Sequence, residues 1–124
     1  MNLSAIGIAC KDINSTISFY ELFDLSFEEL GDGHFEAITK SGLRIMLDSF
    51  ELLKKINPKW TSPKSSGITL CFEQENATNV NNLYQKIITA GSPSVVEPWD
   101  AFWQQRYASV LDPDGNQVDI FSPL

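Results

Sequence analysis

The segment RYASVLDPDGNQVDIF, from Arg106 to Phe121, predicts two β-strands joined by a short turn. The strands are predicted over Arg106–Leu111 and Gln117–Phe121. Between them, Asp112-Pro113-Asp114-Gly115-Asn116 consists entirely of residue types that favour turns. The segment therefore predicts a β-hairpin near the end of the chain.

The residues before this hairpin predict a strand, a helix and a further strand. Gly67–Phe72 is typical of a strand, and an apolar stripe at helical spacing follows over residues 80–88. Gly91 stands just beyond this stripe, where a left-handed helix end is expected. Ser94–Val96 is the next predicted strand, so this half of the chain predicts the order βαβββ.

The first half of the chain predicts the same unit. Ser4–Cys10 alternates small and branched residues, as a half-buried strand does, and Asp12 and Asn14 can cap the helix that follows. Glycine-containing turns then separate three short predicted strands. The pattern repeats at a spacing of about 60 residues, which indicates an internal duplication. The three strands are Leu25–Leu30, Phe35–Thr39 and Leu43–Asp48.

The two units are predicted to form one domain. We place the first unit at residues 1–50, a linker at 51–65 and the second unit at 66–124. A short predicted helix, Phe50–Lys55, leads from the first unit into the linker, which continues with Pro58, Trp60 and Pro63. A unit of about 60 residues would be marginally stable alone, so the linker is interpreted as a tether within one domain.

Composition excludes several classes of function. The net charge of −7 and the pI near 4.5 argue against nucleic acid as a partner, since phosphates are bound by clustered Lys and Arg. No apolar run is long enough to cross a membrane, and no secretory signal is apparent, so we expect a cytoplasmic protein. Cys10 and Cys71 are then expected to be reduced, buried packing residues.

Two segments carry a resemblance to a known superfamily. Ala5 to Tyr20 resembles the opening, and Trp103 to Phe121 the closing hairpin, of domains in the vicinal oxygen chelate superfamily. Its members include glyoxalases, bleomycin resistance proteins and extradiol dioxygenases. The resemblance implies an α+β fold in which two tandem βαβββ units form a half-open curved barrel around a cleft. It also implies a homodimer that binds a small molecule in this cleft.

The metal site of the superfamily is predicted to be absent. By resemblance, its four ligands would fall on Ala5, Met46, Gly67 and Asp119. Alanine and glycine offer no donor, and a thioether binds hard divalent ions poorly. One carboxylate cannot replace the three or four ligands that a catalytic metal needs. We therefore predict no metal, no cofactor and no catalytic residue of this type.

Strand parity predicts which side chains face the cleft. The small residues of the first and fifth strands are expected there, with Arg44, Met46 and Asp48 from the fourth strand. Asp119 and Phe121 are expected from the last strand, and Tyr107 shares a face with Ser109. Asp119 would bind a ligand amine or pair with Arg44 or Arg106, whereas Arg44 would otherwise bind a ligand carboxylate. The predicted binding residues on strands are Arg44, Met46, Asp48, Tyr107 and Asp119.

Large aromatic side chains form a second group of candidates. Trp99, Phe102 and Trp103 are predicted in a loop before the seventh strand, and Trp60 lies in the linker. They would stack on a planar or cationic ligand, or else pack at the barrel rim or in a dimer interface. Related binding proteins often have Trp-Gly-x-Arg at this loop, where this chain has Gln104 in place of glycine.

His34, the sole histidine, has two interpretations. It could act as a general base near neutral pH. Beside the turn Gly31-Asp32-Gly33, however, we expect an exposed side chain without a functional role.

Three functions are compatible with these features. The leading hypothesis is a metal-independent binding protein of the bleomycin-resistance type that sequesters an aromatic or cationic compound, such as an antibiotic. The alternative is a glyoxalase-like lyase or isomerase, or a dioxygenase, including a metal-free lyase that uses Asp119 or His34 for proton transfer. The third is an interaction module whose aromatic residues serve only dimerisation, and shared architecture cannot choose among them.

Overall fold

A computed structural model describes residues 1–64 and 67–124 of the chain. The chain divides into two compact units, Met1–Lys64 (unit 1) and Ser65–Leu124 (unit 2). The boundary predicted between residues 65 and 66 lies outside the described residues. Each unit contains one four-stranded mixed sheet.

Unit 1 is built from four strands and two helices. Its sheet has the strand order β1-β4-β3-β2, in which β1 runs parallel to β4 and the other pairs are antiparallel. The elements are β1 (Ala5–Cys10), α1 (Ile13–Glu21), β2 (Glu28–Gly31), β3 (His34–Ile38), β4 (Arg44–Ser49) and α2 (Phe50–Ile56).

Helix α1 begins where a local cap is available and packs on one face of its sheet. Asp12 is its N-cap and accepts a hydrogen bond from the Ser15 amide, whereas Asn14, the other predicted cap, lies inside the helix. Phe19 and Tyr20 are buried between α1 and the sheet, together with Leu47 of β4. Because neighbouring strand residues point to opposite faces, Met46 and Asp48 lie on the face opposite α1.

Unit 2 repeats the order strand, helix, three strands. Its sheet has the order β5-β8-β7-β6, with β5 parallel to β8. The elements are β5 (Thr69–Glu73), α3 (Ala77–Thr89), β6 (Ser94–Ala101), β7 (Gln105–Leu111) and β8 (Gln117–Pro123).

Helix α3 covers one face of the unit 2 sheet. Its buried residues are Val80, Leu83 and Ile87, and it contacts β6, β7 and β8. Gly91 follows the helix at φ 105°, which confirms the predicted left-handed helix end. Ala108 and Ile120 are fully buried on the α3 face, so Tyr107 and Asp119 lie on the face opposite α3.

The predicted α+β fold with two βαβββ units is confirmed, and the largest error in strand bounds concerns β6. The sequence predicted a strand only over Ser94–Val96, with Trp99 in a loop. In the structure β6 continues to Ala101, with register shifts around Pro98. Because β6 is an edge strand, a proline and an irregular register are tolerated there. Strand β2 is shorter than predicted and begins at Glu28 instead of Leu25.

Among the described residues, no helix is long and apolar enough to cross a membrane.

Candidate functional site

Five aromatic rings form a continuous cluster in unit 2. Trp99 of β6 pairs with Tyr107 of β7, which pairs with Phe121 of β8, so all three lie on the face opposite α3. Trp103 packs edge-on against Trp99 at 5.5 Å and against Tyr107 at 5.2 Å, while Tyr107 stacks on Phe121 at 5.9 Å between ring centroids. Phe102 packs edge-on against Trp103 at 4.9 Å. We call these five residues the aromatic cluster.

Much of the aromatic cluster remains accessible. Trp99 and Trp103 are 40% and 43% exposed, and Phe102 is 84% exposed. Tyr107 and Phe121 are half-buried. An exposed patch of large aromatic side chains is typical of a ligand-binding or interaction surface.

The turn that carries Trp103 has the backbone that glycine favours. Gln104 has φ 69°, in the left-handed region, although it is not glycine. Its amide donates to the Ala101 carbonyl oxygen at 3.0 Å, and its carbonyl oxygen accepts from the Leu124 amide at 3.2 Å. The replacement of glycine by Gln104 therefore leaves the turn in the left-handed conformation.

Tyr107 connects the aromatic cluster to a buried carboxylate. Its hydroxyl donates to Asp119 Oδ2 at 2.6 Å, and Gln117 Nε2 donates to Asp119 Oδ1 at 3.0 Å. Asp119 is only 6% exposed. Burial, followed by the hydrogen bond to Asp119, raises the pKa of the Tyr107 phenol above its ordinary value, so the hydroxyl is neutral at physiological pH.

Arg106 does not pair with Asp119, contrary to one of the two predicted pairings. Arg106 lies on the α3 face, where its Nε donates to Asp100 Oδ1 at 2.6 Å and its Nη1 to Asn81 Oδ1 at 2.9 Å. Asp119 lies on the opposite face because its position has the other strand parity. Arg106 thus joins α3 to β6 and has no part in the aromatic cluster.

Four charged side chains form a second cluster on the unit 1 sheet, opposite α1. His34 Nδ1 lies 2.5 Å from Asp48 Oδ1, and His34 Nε2 lies 2.7 Å from Glu36 Oε2. Arg44 Nη1 donates to Glu36 Oε1 at 2.8 Å. All four are half-buried. We call His34, Glu36, Arg44 and Asp48 the charged cluster.

The expectation of an exposed His34 side chain is wrong, because His34 is half-buried. His34 is the first residue of β3, not a turn residue, and it pairs with Asp48 across the strands. Its hydrogen bonds to Asp48 and Glu36 raise the pKa of the imidazole above 6.5. The bonds from His34 and Arg44 lower the pKa of Glu36 below 4.5. The charged cluster is therefore a network of ion pairs with both signs of charge.

We expect an NMR titration of the His34 imidazole to give a pKa above 6.5, because two carboxylates stabilise its protonated form. His34 is the sole histidine, so its Cε1–H signal is identified without assignment. Asp48→Asn should lower this pKa. Asp32→Asn removes the same charge from the preceding turn and should change it much less. A pKa at or below 6.5, or one unaffected by Asp48→Asn, would contradict the described contacts.

The shifted pKa values of His34 and Glu36 mean that the charged cluster stabilises the fold only within a range of pH. The raised pKa of His34 contributes stability below about pH 6.5, and this is lost as the pH rises through the folded-state pKa. The lowered pKa of Glu36 contributes stability above about pH 4.5, and this is lost as the pH falls through its folded-state pKa. Both contributions are complete between these two values.

The four positions implied for a metal do not form a suitable donor set. Ala5 and Gly67 have no donor atoms, and Met46 offers only a thioether that lies above Gly7. Both oxygens of Asp119 already accept hydrogen bonds. Within residues 1–64 and 67–124 no group of three or more His, Cys, Asp or Glu side chains is arranged to hold a metal. The residues therefore do not fit the metal that the superfamily resemblance implies.

Trp60 and the cysteines complete the predicted positions. Trp60 packs against Phe50 at 5.1 Å between ring centroids, so the structure places it beside the start of α2. Cys10 and Cys71 are both thiols and do not form a disulfide, as predicted, and Cys10 is buried. The expectation of a buried Cys71 is wrong. Cys71 is exposed because it lies on β5, an edge strand of the unit 2 sheet, on the face opposite α3.

An open groove of about 500 Å³ lies elsewhere in unit 1, between the start of α1 and the start of α2. Its apolar lining includes Ile13, Phe35 and Leu52, with charged side chains such as Asp32 and Lys55 around them. The groove contains none of the nine residues predicted to bind a ligand, so it is a separate feature.

The structure groups eight of the nine predicted residues into two sets. Trp99, Phe102, Trp103, Tyr107 and Asp119 come together in unit 2, whereas Arg44, Met46 and Asp48 share a face in unit 1. The prediction omitted Gln117, which lies two positions before Asp119 and therefore shares its face of the strand. It also omitted Glu36, whose place opposite Met46 requires the strand pairing to be known.

Comparisons with known proteins give the family. A sequence model described as Glyoxalase/Bleomycin resistance protein/Dioxygenase superfamily matches residues 2–120. The search of curated proteins found no match. Three similar solved structures show the same fold. A glyoxalase/bleomycin resistance protein/dioxygenase family enzyme from Burkholderia phytofirmans has 23% identity and a TM-score of 0.83, with 100% of both chains covered.

The second is a glyoxalase-related enzyme from Fulvimarina pelagi, with 18% identity, a TM-score of 0.85 and coverage of 98% of this chain and 87% of that one. The third is a virulence protein from Salmonella typhimurium, with 24% identity, a TM-score of 0.72 and coverage of 100% and 98%. With the family match over nearly the whole chain, this protein belongs to the glyoxalase/bleomycin resistance protein/dioxygenase superfamily.

Proposed function

We propose that this protein is a metal-independent, homodimeric binding protein of the bleomycin-resistance type, which sequesters an aromatic or cationic small molecule. The observation that carries the proposal is the aromatic cluster with the buried carboxylate beside it. Trp99 and Trp103 are about half exposed, and Tyr107 links them to Asp119.

The chemistry of the cluster suits binding of a planar ring. Indole and phenol faces stack on aromatic rings, and they attract cations within about 6 Å of the ring centroid. The protein's net charge of −7 adds a general attraction for cations. Sequestration requires affinity and no reacting group, which agrees with a donor set that does not fit a catalytic metal.

The test is a titration with 9-aminoacridine, a planar aromatic cation, followed by quenching of tryptophan fluorescence. Trp103→Ala should weaken binding by about tenfold, because it removes the ring that joins Trp99 to Tyr107. Trp60→Phe is the control, since Trp60 packs against Phe50 and a phenyl ring retains that contact. It should leave the affinity unchanged.

Two results would contradict this proposal. One is the absence of binding by 9-aminoacridine and by neutral planar compounds of similar size. The other is an affinity that Trp103→Ala does not change. The recovered compound should be chemically unaltered when it is analysed by mass spectrometry after release from the protein.

The charged cluster favours a second candidate, a lyase or isomerase that transfers a proton without a metal. His34 lies between two carboxylates, an arrangement that suits an acid–base group. Binding is favoured over this alternative because both imidazole nitrogens are already hydrogen-bonded within the protein. An altered product in the experiment above, lost on His34→Asn, would support the enzyme instead.

The aromatic cluster would serve a third role if it only joins two copies of the chain. Phe102 is 84% exposed, which suits an interface as well as a ligand. In that case Trp103→Ala would shift the mass measured by light scattering from dimer to monomer, and no compound would quench the tryptophan fluorescence of the natural protein.

A further inference from the structure

The Tyr107 hydroxyl has a single proton, and the structure shows where it is directed. A phenol hydroxyl donates one hydrogen bond and accepts others through its lone pairs. Tyr107 lies 2.6 Å from Asp119 Oδ2, and an ionised carboxylate can only accept. The proton of Tyr107 therefore points toward Asp119, and its oxygen is left as an acceptor.

Asp119 is fixed in this orientation from its other side. Gln117 Nε2 donates to Oδ1 at 3.0 Å, so each carboxylate oxygen has one protein donor. Asp119 lies on β8, an interior strand of the sheet between β5 and β7, and is 6% exposed. A carboxylate bonded at both oxygens and buried on an interior strand has little freedom to release Tyr107.

The Tyr107 ring is fixed as well. It stacks on Phe121 and meets the edge of Trp103, and the N–H of Trp103 is itself donated to Gln105 Oε1 at 2.8 Å. Trp103 therefore has no N–H available for a ligand beside Tyr107. Cys71 Sγ lies 4.0 Å from the Tyr107 oxygen and can donate one weak hydrogen bond to it. The half-buried Tyr107 oxygen therefore keeps one lone pair that a ligand donor can use.

We infer that Tyr107, oriented by Asp119, makes the aromatic cluster selective for planar ligands that present a hydrogen-bond donor. This inference rests on the proposed binding function and adds the chemical class of the ligand. A ligand N–H or ammonium group can donate to the Tyr107 oxygen. If the polar atom of a ligand is an acceptor, it faces a lone pair of the Tyr107 oxygen. The ligand atom and the Tyr107 oxygen then both lose hydrogen bonds to water without forming one to each other.

Indole and benzofuran form a matched pair of probes. They have nearly the same shape and no charge, so the net charge of −7 favours neither of them. Indole carries an N–H donor where benzofuran carries an acceptor oxygen. Binding is followed by NMR through the side-chain N–H signals of the three tryptophans. Indole should bind about fivefold more tightly, the value of one ordinary hydrogen bond.

Asp119→Asn should reverse the direction of the Tyr107 hydroxyl. Gln117 still donates to the amide oxygen, which leaves the amide nitrogen facing Tyr107 as a donor. The Tyr107 proton is then free to point toward the ligand. The preference for indole should disappear or change to benzofuran. Tyr107→Phe removes the hydroxyl and should bind the two probes equally, which tests the inference even if the Asp119 variant does not fold.

Each outcome has a distinct meaning. Loss of the preference in both variants supports the inference. Equal affinities in the natural protein, or a preference that persists in Tyr107→Phe, would overturn it while leaving the proposed function intact. If neither probe binds and 9-aminoacridine also fails to bind, the proposed function is overturned and the inference with it.

Discussion

Replacing Phe19 with alanine is expected to destabilise the protein by about 4 kcal/mol. Phe19 lies on α1 and is 4% exposed. Its ring meets Tyr20 edge-on at 4.8 Å and packs against Phe23 at 5.2 Å. Truncation removes buried apolar surface and leaves a cavity that these two rings cannot fill without moving.

Urea unfolding followed by circular dichroism measures this loss. Phe102→Ala is the matched control, since it is the same substitution at a side chain that is 84% exposed. It should cost less than about 1 kcal/mol, because little surface is removed from the interior. Comparable losses for the two variants would mean that α1 is not packed on the sheet as described.

Asp112→Ala is expected to cost about 3 kcal/mol, because it leaves several turn donors without their acceptor. Asp112 is 3% exposed and lies in the turn that joins β7 to β8. Its Oδ1 accepts from the Asp114 and Asn116 amides, both at 2.9 Å, and its Oδ2 accepts from Asn116 Nδ2 at 2.9 Å. Alanine removes all three bonds at a site that water reaches poorly.

Asp112→Asn distinguishes the contributions of the two Asp112 carboxylate oxygens to the stability of the turn. The amide oxygen can still accept from both backbone amides, whereas the bond to Asn116 Nδ2 is lost. We therefore expect the loss of unfolding free energy for Asn to be clearly smaller than for Ala. Equal losses in urea unfolding would indicate that the backbone bonds to Oδ1 contribute little.

Local sequence was sufficient for most of the elements. The turn at 112–116 and the cap at Asp12 depend on neighbouring residues, so their chemistry is visible in the sequence. The C-terminal part of β6 was not predicted, because it depends on the position of the strand in the sheet. Pro98 and the polar Asp100 indicate a loop in the sequence. A strand tolerates them here because β6 lies at the edge of the sheet.

The candidate site was predicted unevenly for the same reason. Period-two alternation placed Asp119 on the cleft face and Tyr107 on one face with Ser109, but it did not fix which face of the sheet Tyr107 occupies. The partner of Asp119 was not visible, because Tyr107 and Asp119 are neighbours only through the β7–β8 register. The surroundings of His34 were mispredicted, because its two carboxylate partners depend on β3 beginning at His34 and on the pairing of β3 with β4.

Local sequence patterns predicted the duplicated α+β fold. Resemblance to the superfamily gave the family and the positions Ala5, Met46 and Gly67, whose side chains do not suit a hard metal ion. The strands, helices and turns could be predicted because residue identity, periodicity and turn chemistry act over a few neighbouring positions. The hydrogen bond from Tyr107 to Asp119 and the place of His34 between Glu36 and Asp48 depend instead on how the strands pair. These hydrogen bonds depend on which residues of neighbouring strands lie opposite each other. A hydrogen bond also requires its two atoms to be within a few tenths of an ångström of the right distance, and local sequence patterns do not predict positions that closely.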